Sequence, residues 1–248
     1  MTLTRFTRLP MAWSLVLLAA DASAQSIDDA RSAYAEGRFL EAADLGEASG
    51  TSHGYTLAAK SLAVYAHYEV ADEEWSEVIK RAMRMGEEAV RADPTNPEAH
   101  CQFAHAVGRY AQRVGTITAL RKGLADKARD ALEAALGIDP DYPGAHLTLG
   151  GWHADIAAAG FFARKIYGAS REKAVYHYEH ALELVPESKI LLYEYGIRLP
   201  ELDEERGKER ARQMLEEALG LPVRDVYEKY IHLDILDILD GLEAARRR

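Results

Sequence analysis

Histidines in this sequence recur at spacings that ligand-binding and metal-binding proteins use. His100 and His146 lie 46 residues apart, and His177 and His180 lie three apart, so the second pair would share one face of a helix. A histidine ladder can line a groove, and an i, i+3 pair can supply half of a zinc site. No third ligand is evident near His177, so we predict no metal. We favour His100 and His146 as helix-start residues that hydrogen-bond a neighbouring carbonyl over the ladder.

The single cysteine and the short catalytic motifs do not indicate an enzyme. Cys101 is close to His100 and His105 in sequence, but neighbours on a helix point in different directions, so its thiolate would lack a base. We interpret Cys101 as a small apolar core residue. Ser170 and Lys173 match a short lactamase-type motif, which we interpret as a helix N-cap. The sequence contains no nucleophile elbow, zinc-protease, P-loop or dinucleotide-binding motif. We therefore predict no enzymatic activity, no catalytic residue and no cofactor.

Small residues and prolines at a fixed offset of 46 define the elements that must position these side chains. Each of three triplets has an alanine, a second alanine seven residues later and a proline five residues further on: Ala82/Ala89/Pro94, Ala128/Ala135/Pro140 and Ala174/Ala181/Pro186. Small residues seven apart lie on one helix face, where another helix can pack closely, and the proline ends the helix. The pattern predicts stacked helical hairpins that bury their apolar faces against one another.

The spacing within each unit narrows the fold class. A large–small pair follows each proline, and the next helix carries alanine, aromatic and alanine positions, as at Ala174, Tyr178 and Ala181. This arrangement resembles the tetratricopeptide repeat (TPR). We predict four or five hairpins between residues 27 and 221 and a terminal capping helix at about 223–245. The fold class is all-α: a TPR-like right-handed superhelix of antiparallel hairpins with lengthened middle units.

Two insertions distinguish the middle units from ordinary repeats. A TPR unit has about 34 residues, so the offset of 46 places about a dozen extra residues between the two helices of a unit. The inserts at 115–123 and 160–168 each begin and end with glycine and contain an Arg-Lys pair. Insertions in solenoids often form the binding face, and aromatic and basic residues often anchor interfaces. We predict a partner- or ligand-binding site at Trp152, Phe161, Phe162, Arg164, Lys165, Tyr167, Arg121 and Lys122. Alternatively, these inserts plug the concave face.

A more specific resemblance covers residues 97–200. It rests on His-Leu-x-Leu-Gly-x-Trp at 146–152, Gly-Phe-Phe-Ala-Arg-Lys-Ile at 160–166, Glu-Lys-Ala at 172–174 and Ala-x-Glu-Leu at 181–184. These stretches resemble the regulator of microtubule dynamics family and its exported bacterial relatives, which implies a TPR-like fold and an interaction role. The repeat layout is also similar to the TPR partners of solute-binding proteins in TRAP transporters.

Two functions are consistent with these patterns. The first is an exported, non-enzymatic scaffold or adaptor that binds a protein or peptide partner. The alternative is a small-ligand-binding or transporter-accessory protein with a cavity walled by the inserts. A cavity beneath residues 160–168 would favour the alternative, and a filled core would exclude it.

The N-terminus has the features of a secretory signal peptide. Two arginines precede a short apolar run at 11–20, and a small-x-small cleavage site follows at 22–24. An uncleaved anchor is the alternative, but the run is about half the length that spans a bilayer. We predict that residues 1–24 are removed, that 25–248 form one domain, and that the protein is exported, to the periplasm in a Gram-negative source. We predict no stable membrane insertion after cleavage.

Charge and cysteine content limit the partners and the sources of stability. The formal net charge of the 248-residue chain is −10, which disfavours nucleic acid and anionic lipid and suits neutral or basic partners. Because Cys101 is the only cysteine, no intramolecular disulfide can form, and core packing must supply the stability.

Overall fold

Helices make up the described part of the chain, residues 27–246 of a computed structural model, and no β-strand occurs among these residues. The predicted signal peptide at 1–24 lies outside them. The helices, numbered in chain order, are α1 (27–35), α2 (Phe39–Ala48), α3 (Ser52–Tyr68), α4 (Asp72–Ala92), α5 (Pro97–Val114), α6 (Thr116–Arg121), α7 (Leu124–Ile138), α8 (Pro143–Ala158), α9 (Phe161–Tyr167), α10 (Arg171–Leu184), α11 (Lys189–Leu202), α12 (Gly207–Gly220) and α13 (Val226–Arg246).

Five helical hairpins form the array, which confirms the predicted all-α solenoid. The hairpins are α1/α2, α3/α4, α5/α7, α8/α10 and α11/α12. The alanines of the three sequence triplets are all buried, and α4, α7 and α10 each end two residues before the triplet proline. Asn96 caps α5 by accepting hydrogen bonds from the backbone N–H groups of Glu98 and Ala99. The repeated small residues therefore mark where helices pack closely.

Glycine at the predicted large–small pair allows the two helices of a hairpin to approach. A Cβ atom at Gly150 of α8 would lie 3.0 Å from the ring of Tyr178 on α10. Tyr178 is buried and stacks on Tyr195 of α11 with ring centroids 4.7 Å apart. One aromatic side chain thus joins consecutive units, and its position depends on the small residue opposite.

Both inserts lie between the two helices of a unit, as the sequence predicts, and each forms a short helix. α6 follows α5, and α9 follows α8. The opening glycines, Gly115 and Gly160, have φ values of +81° and +106°, and the closing glycines, Gly123 and Gly168, have +61° and +63°. Such angles favour glycine, because a Cβ atom would be strained there. The equivalent backbone conformations show that the inserts are structural repeats as well as sequence repeats.

The terminal helix α13 packs on α11 and α12 and also returns to the first hairpins. Ring centroids of Tyr230 and Tyr68 are 4.8 Å apart, and the Tyr230 hydroxyl donates to Glu69 at 2.7 Å. Asp234 Oδ2 accepts hydrogen bonds from the hydroxyls of Tyr68 and Tyr193, at 2.9 and 3.2 Å. These tyrosines join the two ends of the array, so α13 is a closing element in addition to the predicted cap.

Candidate functional site

A cavity of about 400 Å³ lies along the first helices of the hairpins. Helices α3, α5, α8 and α11 contribute to its lining, the first insert adds Ala119 and Leu120, and Tyr227 at the start of α13 adds an aromatic wall. Ala163 of the second insert reaches the same cavity. Most of the lining is apolar, as at Leu147 and Ile190. We call this cavity the central groove.

Polar and charged side chains of the central groove join three successive units, and one ion pair skips the middle unit. Arg109 of α5 donates to Glu194 of α11 at 3.3 Å. Asp155 of α8 accepts from Gln112 of α5 at 2.8 Å and pairs with Arg198 of α11 at 2.7 Å. These contacts fix three helices relative to one another. They also compensate the charges of the two groove arginines within the protein.

Two polar atoms of the groove residues are buried without a hydrogen-bond partner in the described part of the chain. They are Gln102 Oε1, an acceptor, and Arg198 Nε, a donor. A buried unpaired donor or acceptor is costly, and such atoms usually have a partner. Neither atom is accessible to solvent, so a ligand in the groove could reach them only after the side chains of Gln102 and Arg198 move.

His105 contributes a neutral ring to the groove. Burial, together with the positive charge of Arg109, lowers the pKa of His105 to about 3. Its Nε2 atom accepts a hydrogen bond from Arg109 Nε at 3.2 Å, which requires an unprotonated nitrogen. Lys60 lies at one side of the groove, with its ammonium group 4.7 Å from the centroid of the Tyr34 ring.

Gly108 of α5 marks open space in the groove. It lines the cavity, and a Cβ atom built on it would meet nothing within 4 Å. Gly137 of α7 has equally free surroundings but does not line the groove. These two helical glycines form a matched pair, because a large side chain at Gly108 would fill the groove and one at Gly137 would project into solvent.

The predicted site residues lie at two different depths. Trp152 is 9% exposed, lines the groove, and donates its indole N–H to the Ala125 carbonyl at 2.9 Å. The edge of the Tyr167 ring packs on Trp152, with centroids 6.1 Å apart, and holds α9 against α8. Phe161 and Phe162 are 64% and 79% exposed and contact each other edge to face. These two phenylalanines therefore do not plug the groove.

The four predicted basic residues of the inserts are exposed. None of the ion pairs in the described residues involves Arg121, Lys122, Arg164 or Lys165. Lys122 donates to the Tyr110 hydroxyl at 2.8 Å, which ties the first insert to α5. Together with the exposed apolar residues of α6 and α9, these cations form a surface that we call the insert face: Ile117, Leu120, Arg121, Lys122, Phe161, Phe162, Arg164, Lys165 and Ile166.

His100 and His146 occupy equivalent structural positions, as their offset predicts. The Nε2 atoms of His100 and His146 lie 2.9 Å from the carbonyl oxygens of Pro94 and Pro140 respectively. The interpretation as helix-start residues is confirmed. Since a carbonyl only accepts, Nε2 of His146 carries the proton in the neutral ring. Its Nδ1 then accepts from Nδ1–H of His177 at 2.9 Å.

His177 and His153 line a second cavity, of about 380 Å³, between α7, α8 and α10. Burial lowers the pKa of both rings to about 4, and for His177 the neighbouring histidines contribute. Arg129 also lines this cavity, but it is paired with Asp126 and Asp130 at 2.9 Å. No group of three His, Cys, Asp or Glu side chains in the part of the chain described here is placed to hold a metal ion.

The other candidate residues have structural roles. Cys101 is buried, its Sγ lies 3.6 Å from Thr148 Oγ1, and burial raises its thiol pKa to about 12. Such a thiol stays protonated, so the interpretation as a core residue is confirmed. Ser170 accepts a hydrogen bond from the Lys173 N–H at 3.2 Å, which confirms the N-cap.

Sequence reasoning missed the polar residues of the groove. A usable signal was present, because Arg109 and Asp155 are 46 residues apart and so occupy equivalent positions with opposite charge. Opposite charges at equivalent positions of stacked helices can pair along a solenoid. The partner of each charge was not predictable, because the contacts skip a unit: Arg109 pairs with Glu194.

Comparison with known proteins supports the fold and identifies a family. The family model described as "Regulator of microtubule dynamics protein 1-3" matches residues 55–243, a longer stretch than the predicted resemblance. No curated protein matches the chain. The solved structure of TTC0263, a thermophilic TPR protein in Thermus thermophilus, is similar at 17% identity with a TM-score of 0.61, over 87% of this chain and 99% of that chain.

Two further TPR-like structures are more distant. YrrB, a TPR protein with an unusual peptide-binding site, has 14% identity and a TM-score of 0.41, over 89% of this chain and 97% of that chain. MamA has 16% identity and a TM-score of 0.42, over 81% and 91% of the two chains.

None of the described helices is long and apolar enough to cross a membrane.

Proposed function

We propose that this chain, which belongs to the regulator of microtubule dynamics protein 1-3 family, is a non-enzymatic scaffold. It binds a segment of a partner protein in the central groove. TPR-like proteins are generally scaffolds that bind proteins or peptides. The observation that carries the proposal is the groove itself, an apolar cavity of about 400 Å³ along the first helices of the hairpins. We further propose, from the N-terminal sequence pattern, that the protein is exported and acts in the periplasm of a Gram-negative source.

The groove chemistry favours a segment with apolar side chains. Leu147 and Ile190 supply apolar contact. The arginine–carboxylate pairs are already satisfied, so the groove does not require a strongly charged ligand. A neutral segment also fits the overall charge of −10, which repels acidic partners at long range.

A small apolar ligand is the second candidate, because of the cavity's size. Its volume lies within the range of about 300–1,000 Å³ typical of small-molecule pockets. The cavity is walled in part by Ala119 and Leu120 of the first insert, as the sequence-based alternative requires. Native mass spectrometry of the purified chain tests this candidate: a bound compound that is absent from a Gly108→Trp variant would favour it over a protein partner.

The experiment for the main proposal is site-specific photo-crosslinking. A photoreactive phenylalanine analogue replaces Leu147, in the groove, or Glu217, on the exposed side of α12. In cells of the source organism, the same protein should be crosslinked repeatedly from position 147 and not from 217. That protein should then bind the purified chain, and a peptide that spans its crosslinked residues should compete. If position 147 yields no product, or the same products as 217, the proposal is wrong.

A further inference from the structure

We propose that the insert face docks on the surface of an anionic lipid bilayer. This inference goes beyond the proposed function and does not rest on it, because the phenylalanines and cations of the insert face project to solvent and not into the central groove. The contact is peripheral, since none of the described helices can cross a membrane. Four properties of α6 and α9 carry the inference: exposed apolar side chains, unpaired cations, a shared edge of the solenoid and a rigid anchorage.

Exposed apolar side chains are concentrated on the two inserts. Ile117 and Ile166 are 76% and 71% exposed, close to the exposure of Phe162, and Phe161 and Leu120 lie beside them. Each belongs to a helix of six or seven residues that buries no residue fully. Exposed apolar groups of this size signal an interaction surface. Phenylalanine and leucine beside lysine and arginine are typical of segments that lie in the headgroup region of a membrane.

The charge of the insert face is opposite to that of the whole chain. Residues 115–123 and 160–168 contain four cations and no aspartate or glutamate, although the chain carries −10. Two carboxylates near the second insert have other partners: Asp126 accepts from Arg129 at 2.9 Å, and Glu172 hydrogen-bonds Ser170. The inserts are therefore basic segments of an acidic chain.

The two inserts share one edge of the solenoid. They join the helices of successive hairpins at equivalent points, and Leu120 of the first and Ala163 of the second border the same cavity. Tyr167 packs on Trp152, and Lys122 bonds to Tyr110, so both short helices are held against the body. A bilayer that contains anionic lipid is a flat, negatively charged surface, and it can contact both inserts at once.

Other occupants fit the insert face less well. A second copy of the chain in a symmetric contact would place four cations against four cations, which is repulsive. A protein partner usually inserts anchor residues into pockets, whereas the phenylalanines here protrude. An acidic peptide would satisfy the cations but would leave the protruding phenylalanines without an apolar partner. Anionic lipid supplies both the negative charge and an apolar layer for Phe161, Phe162 and Ile166.

Vesicle co-sedimentation tests the proposal on the full chain. The vesicles contain either phosphatidylcholine alone or phosphatidylcholine with one third phosphatidylglycerol. The wild-type chain should bind the anionic vesicles more tightly than the neutral ones. Each cation near the surface contributes about five-fold in affinity, so Arg164→Gln/Lys165→Gln should lower anionic binding about 25-fold. Phe161→Ser/Phe162→Ser should lower it by at least about ten-fold.

The matched control is Arg84→Gln/Lys208→Gln, which removes the same charge from exposed positions outside the inserts and should bind like wild type. Residues 1–24 are identical in all variants, so differences report on the insert face. A second measurement is independent of charge: brominated lipid should quench a tryptophan at position 162 and not one at position 233, which is exposed on α13. Equal binding of insert and control variants would overturn the proposal. The proposal would also be overturned if dimer formation or the binding of acidic peptides required the insert face and vesicle binding did not.

Discussion

The central groove and the insert face use the same residue types in opposite ways. In the groove, Arg109 and Arg198 are paired with carboxylates, and Trp152 and Tyr227 are buried. On the insert face, Arg164 and Lys165 lack an ion-pair partner among the described residues, and Phe162 projects into solvent. Arginine and aromatic residues are common in interfaces of any kind, so residue type alone does not identify the site. Burial and pairing show that the groove is preorganised for a ligand that enters it, whereas the insert face must meet a partner that covers it.

The largest expected difference is in the free energy of unfolding after an aromatic residue is truncated in each region. Tyr178→Ala removes a buried ring that stacks on Tyr195 in the wall of the groove, and should cost about 3–5 kcal/mol. Phe162→Ala removes a ring that is 79% exposed and should change stability by less than about 0.5 kcal/mol. Urea denaturation of both variants measures the contrast. Similar losses would show that the second insert is part of the core.

The closing contact of α13 should have the next largest effect. Asp234→Ala leaves the hydroxyls of Tyr68 and Tyr193 without their acceptor and should cost about 2 kcal/mol. Asp237→Ala changes an exposed aspartate of the same helix and should cost less than about 0.5 kcal/mol. Hydrogen exchange should show faster exchange at the ends of α3 and α13 in the first variant only. Unchanged exchange there would mean that the ends of the array do not depend on Asp234.

The groove should also give stability a pH dependence that the insert face, which contains no histidine, does not. The pKa of His105 is lowered to about 3 in the folded chain, and an unfolded histidine has a pKa of about 6.5. The neutral ring therefore stabilises the fold fully above about pH 6.5, and this contribution falls as the pH drops toward 3. His105→Asn should make the acid-side fall of the unfolding free energy shallower, as urea denaturation at a series of pH values would measure. An unaltered slope in this variant would contradict the burial of a neutral His105.

The smallest expected effects concern two glycines outside the groove lining. Gly160→Ala places a Cβ atom on a residue with φ of +106°, at the start of the second insert. In a rigid insert this change should lower the free energy of unfolding by about 1–3 kcal/mol, and in an insert that relaxes it should have almost no effect. Because α9 contacts mainly α8, we expect the lower end, about 1 kcal/mol. Gly137→Ala, in the last turn of α7 with free space around it, should stabilise by up to about 0.5 kcal/mol. Thermal denaturation should show a lower melting temperature for the first variant and a higher one for the second. Stabilisation by both changes would mean that the insert backbone is not constrained.

The repeat could be predicted from the sequence because its cause is local. The alanines seven apart, the prolines after each helix and the insert glycines act through packing distance and backbone angle, and each has the predicted place in the structure. The return of α13 to the first hairpins was not predictable, because Tyr68 and Asp234 are 166 residues apart and neither is unusual alone. The groove depends on the same long-range geometry.

The candidate site was predicted in part. The exposed phenylalanines and cations of the inserts were identified, because bracketing glycines isolate them in the sequence. Trp152 and Tyr167 were grouped with them by proximity, although they hold the second insert in place. Gln102, Gly108 and Arg198 were missed, because their importance comes from the space between helices and not from their residue types.

The most direct test of the groove as the binding site compares two identical substitutions. Gly108→Trp fills the groove, and Gly137→Trp adds the same side chain to a helix outside it. Isothermal titration with the protein captured from position 147 should show at least about a ten-fold loss of affinity for the first variant, since the ligand would lose its apolar contacts. The second variant should bind like wild type. Equal affinity of the two variants would contradict binding in the central groove.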